Sequence, residues 1–248
     1  MSRVVVITGA ASGVGAACAA LLIERGWTTI GLDKSFSEQR MGPAGLIPLK
    51  VDVSSPEEID RAFADVASRF EGIDALICSA GILRVGPIEK ATVADFDAVF
   101  EVNMRGAWLC ARAALPLLRR RATEAAPAHM VFISSVAVLR PKLGTGLYAA
   151  SKAALSHFVR ILAAEAGKDH ILVNALAPGW MDTSMTQTAR SQWSTAFVPP
   201  GLPSLGRHAV PADVARAAAM LLGPDAAYIT GVMIAVDGGS SAVYTPDS

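Results

Sequence analysis

The chain has 248 residues, with 22 Lys+Arg against 22 Asp+Glu for a formal net charge of +0, and is 52% hydrophobic but only 6% aromatic and 18% charged. That balance supplies no basic footprint for a nucleic acid. No apolar run reaches the roughly 18 residues a membrane span needs, and Met1-Ser2-Arg3 runs straight into Val4-Val5-Val6-Ile7, which is too short for a signal peptide. A soluble, cytoplasmic protein is expected.

Short apolar runs alternate with helical patterns along the whole length. Strands are predicted near 3–7, 28–32, 46–51, 74–78, 129–133, 171–175 and 232–236, and helices near 13–25, 56–70, 93–120, 148–167 and 211–222. Such alternation implies one α/β domain of Rossmann type: a doubly wound parallel sheet of about seven strands, covered by helices on both faces. Pro116 predicts a kink or break inside the 93–120 helix. Arg119-Arg120-Arg121 at its end reads as cations placed at a helix C-terminus. The segment 184–208, with Met185, Trp193 and Phe197, lies in the longest irregular stretch and suits a lid over a site.

The first turn, Thr8-Gly9-Ala10-Ala11-Ser12-Gly13-Val14-Gly15, follows a strand and opens a helix. Glycines allow positive φ and close backbone approach, and a helix N-terminus offers free N–H groups to phosphate, so the turn reads as a pyrophosphate cradle. Asp33 at the end of the second strand can accept from both ribose hydroxyls of an adenosine, and its charge disfavours a 2′-phosphate. The expected cofactor is therefore NAD, although the adjacent Lys34 softens the argument against NADP. Asp52 and Val53 end the third strand; Asp52 either touches the adenine edge or caps the helix after Ser54-Ser55-Pro56. Ser79-Ala80-Gly81 are small residues that let backbone pass close to a flat ring. Pro178-Gly179 turns the chain after the sixth strand, with Met181 beside it, and Thr183 can hydrogen-bond a carboxamide.

Tyr148 and Lys152 lie four apart on an Ala-rich helical run and share one helix face. Ser135 comes from the end of the fifth strand. A free phenol has a pKa of about 10, and a fixed ammonium beside it favours phenolate. Tyr148 then reads as an acid/base and Lys152 as its electrostatic tuner, with Ser135 bonding the same substrate oxygen. A surface Tyr and Lys on an ordinary helix is the alternative that this pair alone leaves open. Asn103 interrupts a helical pattern, where asparagine is a mediocre former, which points to a backbone or water contact. The cysteines Cys18, Cys78 and Cys110 form no Cys-x-x-Cys pair and read as buried free thiols; the four histidines lack ligand spacing, and no metal is implied.

Taken together these residues resemble the short-chain dehydrogenase/reductase superfamily over essentially the whole chain. The resemblance implies a tetrad of Asn103, Ser135, Tyr148 and Lys152, in which Lys152 also holds the nicotinamide ribose and Asn103 a proton-relaying water. It also implies a homotetramer with the 93–120 and 148–167 helices at its interfaces. Cys78-Ser79-Ala80-Gly81 departs from the usual Asn-Asn-Ala-Gly, which puts the rigidity of that loop in question. Several local stretches, Gly31 to Phe36, Asp74 to Ile77, Ala80 to Arg84 and Arg140 to Gly144, are similar to the 2,3-dihydro-2,3-dihydroxybenzoate dehydrogenases of catechol-siderophore pathways. That similarity implies a cyclohexadiene carboxylate or a related cyclic alcohol as substrate. Lys142 and Arg84 are candidates to hold its carboxylate, or else solvated loop cations, with Leu83 and Met185 as apolar contacts. An amino-substituted ring acid, a ketone, polyol or 3-oxoacyl substrate, and a non-catalytic dinucleotide-binding role remain as alternatives.

Overall fold

The computed structural model describes residues 2–37, 39, 41–192 and 201–242. Seven strands, β1 (Val4–Thr8), β2 (Thr28–Leu32), β3 (Ile47–Leu49), β4 (Ala75–Cys78), β5 (Ala128–Ile133), β6 (Ile171–Pro178) and β7 (Met233–Val236), form one sheet in the order β3-β2-β1-β4-β5-β6-β7. Every pairing is parallel. The expected Rossmann-type sheet is thus present, with its topological switch between β1 and β4, the crevice where doubly wound folds bind ligands.

The strands are apolar on both faces because both are covered. Along β1, Val4 and Val6 enter one core and Val5 and Ile7 the other. The first core is closed by α2 (Pro56–Arg69), α4 (Ala107–Arg119) and α5 (Gly146–Ala166), the second by α1 (Gly13–Glu24) and α7 (Pro211–Leu221). Local chemistry sets the helix starts. Ser55 Oγ accepts from Glu58 N at 3.3 Å ahead of Pro56, and Thr92 and Asp95 cap α3 (Val93–Phe100) reciprocally. Between β2 and β3 the chain makes no helix among the described residues.

Two expectations about helices need correction. The 93–120 stretch is interrupted at Glu101–Gly106, which forms a π-helical turn between α3 and α4, whereas Pro116 lies within α4 without ending it. Gly106 permits this course, since a Cβ there would stand 2.8 Å from the Val53 carbonyl oxygen. Inserted π turns recur at functional sites, and Asn103 sits in the middle of this one. The supposed irregular lid contains a helix, α6 (Ser184–Gln192), which its polar, weakly periodic sequence does not advertise. Trp193 and Phe197 lie outside the described residues.

Candidate active site

A cavity of about 1000 Å³ opens along the carboxyl ends of the strands. One arm runs past the glycine turn. Gly9 and Gly13 hold φ of +69° and +55°, which glycine adopts without penalty. Gly15 answers a different demand: a Cβ there would lie 2.2 Å from the Gly9 carbonyl oxygen, so helix and turn are in backbone contact. Ser12 precedes α1 without capping it, and no acidic residue occupies the first helical turn, which leaves that end of α1 positive and open to an anion. Thr8 Oγ1 accepts from Ser79 N and Ala80 N, both at 3.1 Å, fastening the turn to the loop after β4. That loop is therefore held through its backbone although Ser79 replaces the family's asparagine.

Asp33 closes this arm. Its Oδ2 accepts from Ala11 N at 3.1 Å and its Oδ1 from Ser35 N and Oγ at 2.9 and 2.7 Å. Lys34 points elsewhere, its Nζ lying 3.6 Å from Asp52 Oδ2. Asp52 does not cap α2; it binds Ser54 N and Oγ through Oδ1 and lines the cavity beside Val53. The residues present fit a dinucleotide: a cradle too tight for side chains, an open helix terminus, and a carboxylate at the ribose position.

The other arm is lined by Ser135, Tyr148 and Lys152. Ser135 caps the short turn after β5, its Oγ accepting from Ala137 N at 3.1 Å, and it lines the cavity together with Tyr148. Lys152, only 4% exposed, donates from Nζ to the Ile133 carbonyl at 2.8 Å and lies 5.9 Å from the Tyr148 ring centre. The expected electrostatics need correction. Burial pushes the Tyr148 phenol above its ordinary value, and the lowering influence is the Ser135 hydroxyl. Lys152 spends its contact on a carbonyl, and burial brings its own pKa down to about 8. In this state Tyr148 holds its proton at neutral pH.

Asn103 does not line the cavity. Its Nδ2 donates to the Ile82 carbonyl and to Ser151 Oγ, both at 3.0 Å, while Oδ1 accepts from Ile82 N at 2.8 Å. Of the two contacts that sequence suggested, the backbone one is present, and with the Ser151 bond it ties the loop after β4 to α5. Arg84 is also outside the cavity lining, paired with Asp95 at 3.6 Å, so the structure does not join it to Lys142. Lys142 does line the cavity, as do Leu83, Pro178, Gly179, Met181, Thr183 and Met185. Thr183 N donates to Thr186 Oγ1 at 2.9 Å, fixing the start of α6. Arg140, Trp180, Asp237 and His208 also line the cavity; of these His208 had no local signal in the sequence, because its proximity depends on a segment distant from the others.

Residues 9–241 match the family model described as Enoyl-(Acyl carrier protein) reductase. The chain belongs to the short-chain dehydrogenase/reductase superfamily. Its relatives include the 3-oxoacyl-[acyl-carrier-protein] reductase FabG of Vibrio cholerae serotype O1, 31% identical with 96% of each chain covered. Another is the cis-4-hydroxycyclohexanecarboxylate dehydrogenase of Sinomonas cyclohexanicum, 32% identical with 97% of each covered. Among solved structures, a 3-ketoacyl-(acyl-carrier-protein) reductase from Brucella melitensis complexed with NADH superposes with a TM-score of 0.86 at 29% identity, covering 96% of this chain and 98% of that one. The Pseudomonas aeruginosa RhlG/NADP complex gives 0.85 at 28% identity, with 96% of each covered.

As a member of this superfamily the chain is an oxidoreductase of CH–OH groups that uses an NAD(P) dinucleotide. The cysteines of this short-chain dehydrogenase/reductase, Cys18, Cys78 and Cys110, are all buried and free, and burial pushes Cys18 and Cys110 up to about 12. No helix among the described residues is long and apolar enough to cross a membrane.

Proposed function

We propose that this chain is an NAD-dependent dehydrogenase of a ring alcohol in a cyclic carboxylic acid, with a 2,3-dihydro-2,3-dihydroxybenzoate-like cyclohexadiene carboxylate as the leading substrate. The observation that carries this reading is one cavity lined by Asp33 in one arm and by Ser135, Tyr148, Lys152 and Lys142 in the other. The Sinomonas relative, whose name specifies a hydroxylated cyclohexanecarboxylate, supports the same substrate class. Preference for NAD rests on the Asp33 carboxylate and on Lys34, which is drawn toward Asp52 and not toward a ribose phosphate.

The glycine turn and the N-terminus of α1 would hold the dinucleotide's phosphates and Asp33 its adenosine ribose; when bound, its oxidised nicotinamide would supply a positively charged hydride acceptor. Tyr148 first releases its own proton to solvent; Ser135 then donates to the carbinol oxygen, and the Tyr148 Oη phenolate takes that oxygen's proton as the carbonyl forms. Lys152 contributes a buried ammonium that stabilises phenolate once Tyr148 has lost its proton. Asn103 acts through position, keeping the Ile82 backbone and the catalytic helix in register. In a cyclohexadiene diol the resulting ketone enolises to an aromatic ring, which drives the oxidation forward.

NADH formation is the test, with purified protein, NAD, and in parallel 2,3-dihydro-2,3-dihydroxybenzoate, its amino analogue, cis-4-hydroxycyclohexanecarboxylate and plain cyclohexanol. Turnover of a ring acid at least tenfold above cyclohexanol supports the proposal. Equal or better turnover of cyclohexanol overturns it. The Vibrio relative favours a second reading, reduction of a 3-oxoacyl thioester, and rapid oxidation of NADPH or NADH by such a thioester without ring-acid turnover selects it.

A further inference from the structure

The arm of the cavity beyond Tyr148 has a wall made from two distant segments. Met181 and Ala209 form a parallel bridge, and Ala209 N donates to the Trp180 carbonyl at 3.2 Å. One step back along each segment stand Trp180 and His208. Directly opposed residues of a parallel pair project to the same face, with backbones about 4.8 Å apart. Both side chains line the cavity. Lys142, from the loop after β5, completes the row, its Nζ 5.6 Å from the Trp180 ring centre. A cation, an indole and an imidazole thus stand side by side on one wall.

The charges around this row are already disposed. Arg207, next to His208, is committed to Asp213 through bonds of 2.7 and 3.0 Å. Arg140 donates to the Ser240 carbonyl at 2.8 Å. Asp237 is the lining acid on this side, and its oxygens accept from Gly239 N, Ser240 Oγ and Ser241 N, at 3.0, 3.2 and 2.8 Å. The other lining acids among the described residues, Asp33 and Asp52, belong to the cofactor arm. An anion seated here therefore meets donors, and the one lining carboxylate on this side among the described residues, Asp237, has its oxygens bonded to Gly239, Ser240 and Ser241.

Resting on the ring-acid reading above, we propose that His208 and Lys142 together seat the substrate carboxylate, with Trp180 as the flat surface against which the ring lies. His208 supplies an N–H donor and Lys142 the formal charge. Trp180 fixes their spacing, because the Met181–Ala209 bridge sets His208 beside it and Lys142 lies over it. His208 is then a specificity-determining residue supplied by the segment that follows α6. A substrate with a neutral group at this position loses both contacts.

The test measures binding separately from turnover. Benzoate and benzamide, matched in shape but not in charge, are titrated by calorimetry into the NAD-loaded protein. The wild type is expected to prefer benzoate by tenfold or more, the scale of one charge-assisted hydrogen bond. His208→Gln should cut that ratio by about tenfold and Lys142→Met at least as much, while His208→Lys should retain it. Unchanged ratios in both loss variants, or parallel losses for the two ligands, overturn the seat. Circular dichroism and thermal melts of each variant identify one that fails to fold, in which case His208→Asn and Lys142→Gln take its place. Benzoate preference without ring-acid turnover removes the proposed reaction and leaves the seat standing; ring-acid turnover with no benzoate preference does the reverse.

Discussion

The carboxyl and amino ends of the same sheet are finished with different chemistry. At the carboxyl ends of β1, β4, β5 and β6 the chain turns through Gly9, Gly81, Ser135 and Gly179, small or hydrogen-bonding residues that leave a cavity of about 1000 Å³. At the amino ends the same strands are tied shut. Asp74, just ahead of β4, accepts from Val4 N at 2.7 Å and from both sides of the Arg121 guanidinium at 3.2 and 3.3 Å. Arg3 lies 4.2 Å over Trp27 and donates to the Leu222 carbonyl. His129 is buried beneath, with Nδ1 lacking a hydrogen-bond partner. One end keeps polar groups available for a ligand; the other spends them on the protein. Changes at the first end should therefore alter chemistry at constant stability, and changes at the second the reverse.

The largest effect expected from this division is at Tyr148. Tyr148→Phe removes only the hydroxyl and should lower kcat about a thousandfold, within the range for a lost acid/base, while the dinucleotide Kd and Tm stay within error. Retained turnover would remove Tyr148 from the proton path.

At the opposite end the sharpest probe is pH. Burial, reinforced by the Arg3 charge and opposed by Asp74, lowers the His129 pKa to about 4 from an ordinary 6.5. Above pH 6.5 neither folded nor unfolded chain binds this proton. As pH falls from 6.5 toward 4 the unfolded chain takes it up and the folded one does not, so stability declines, on the order of 2–3 kcal/mol for this group. Urea melts should show that slope in the wild type and a flatter one in His129→Leu. Parallel slopes would mean that His129 is not the titrating group.

Asp74→Ala comes next. It leaves Val4 N–H and the Arg121 guanidinium, a pair only 18–20% exposed, without their acceptor. A loss of about 2–3 kcal/mol follows from an unsatisfied donor and a broken, partly buried ion pair. Denaturant midpoints measure it, and KM for NAD should not move; a shift in KM would show that the two ends are coupled. The smallest effect is that of Asp33→Ala, which should weaken NAD binding about tenfold and NADP binding less. Equal losses for both dinucleotides would indicate that Asp33 serves only to hold Ala11 and Ser35 in place.

Much of this was legible in the residues themselves. Period and length identified the strands, because a sheet covered on both faces must be apolar at successive positions, as the uniformly buried β1 and β5 are. Gly9, Gly13 and Gly15 marked the cradle because no side chain fits where positive φ or a 2.2 Å approach is demanded. Helical spacing placed Tyr148 and Lys152 on one face of α5, and both line the cavity. These are local constraints, written within a few residues of one another.

Tertiary structure decided the rest. It drew the Lys152 ammonium to the Ile133 carbonyl and buried the Tyr148 phenol, reversing the expected direction of its pKa. It set Arg84 on Asp95, outside the cavity, and committed Asn103 to Ile82 and Ser151. It also placed His208 beside Trp180, which are 28 positions apart, through a single backbone bridge. Burial, ion-pair choice and cross-chain proximity depend on which distant segments meet, and a linear pattern of residue types carries the local geometry but not those meetings.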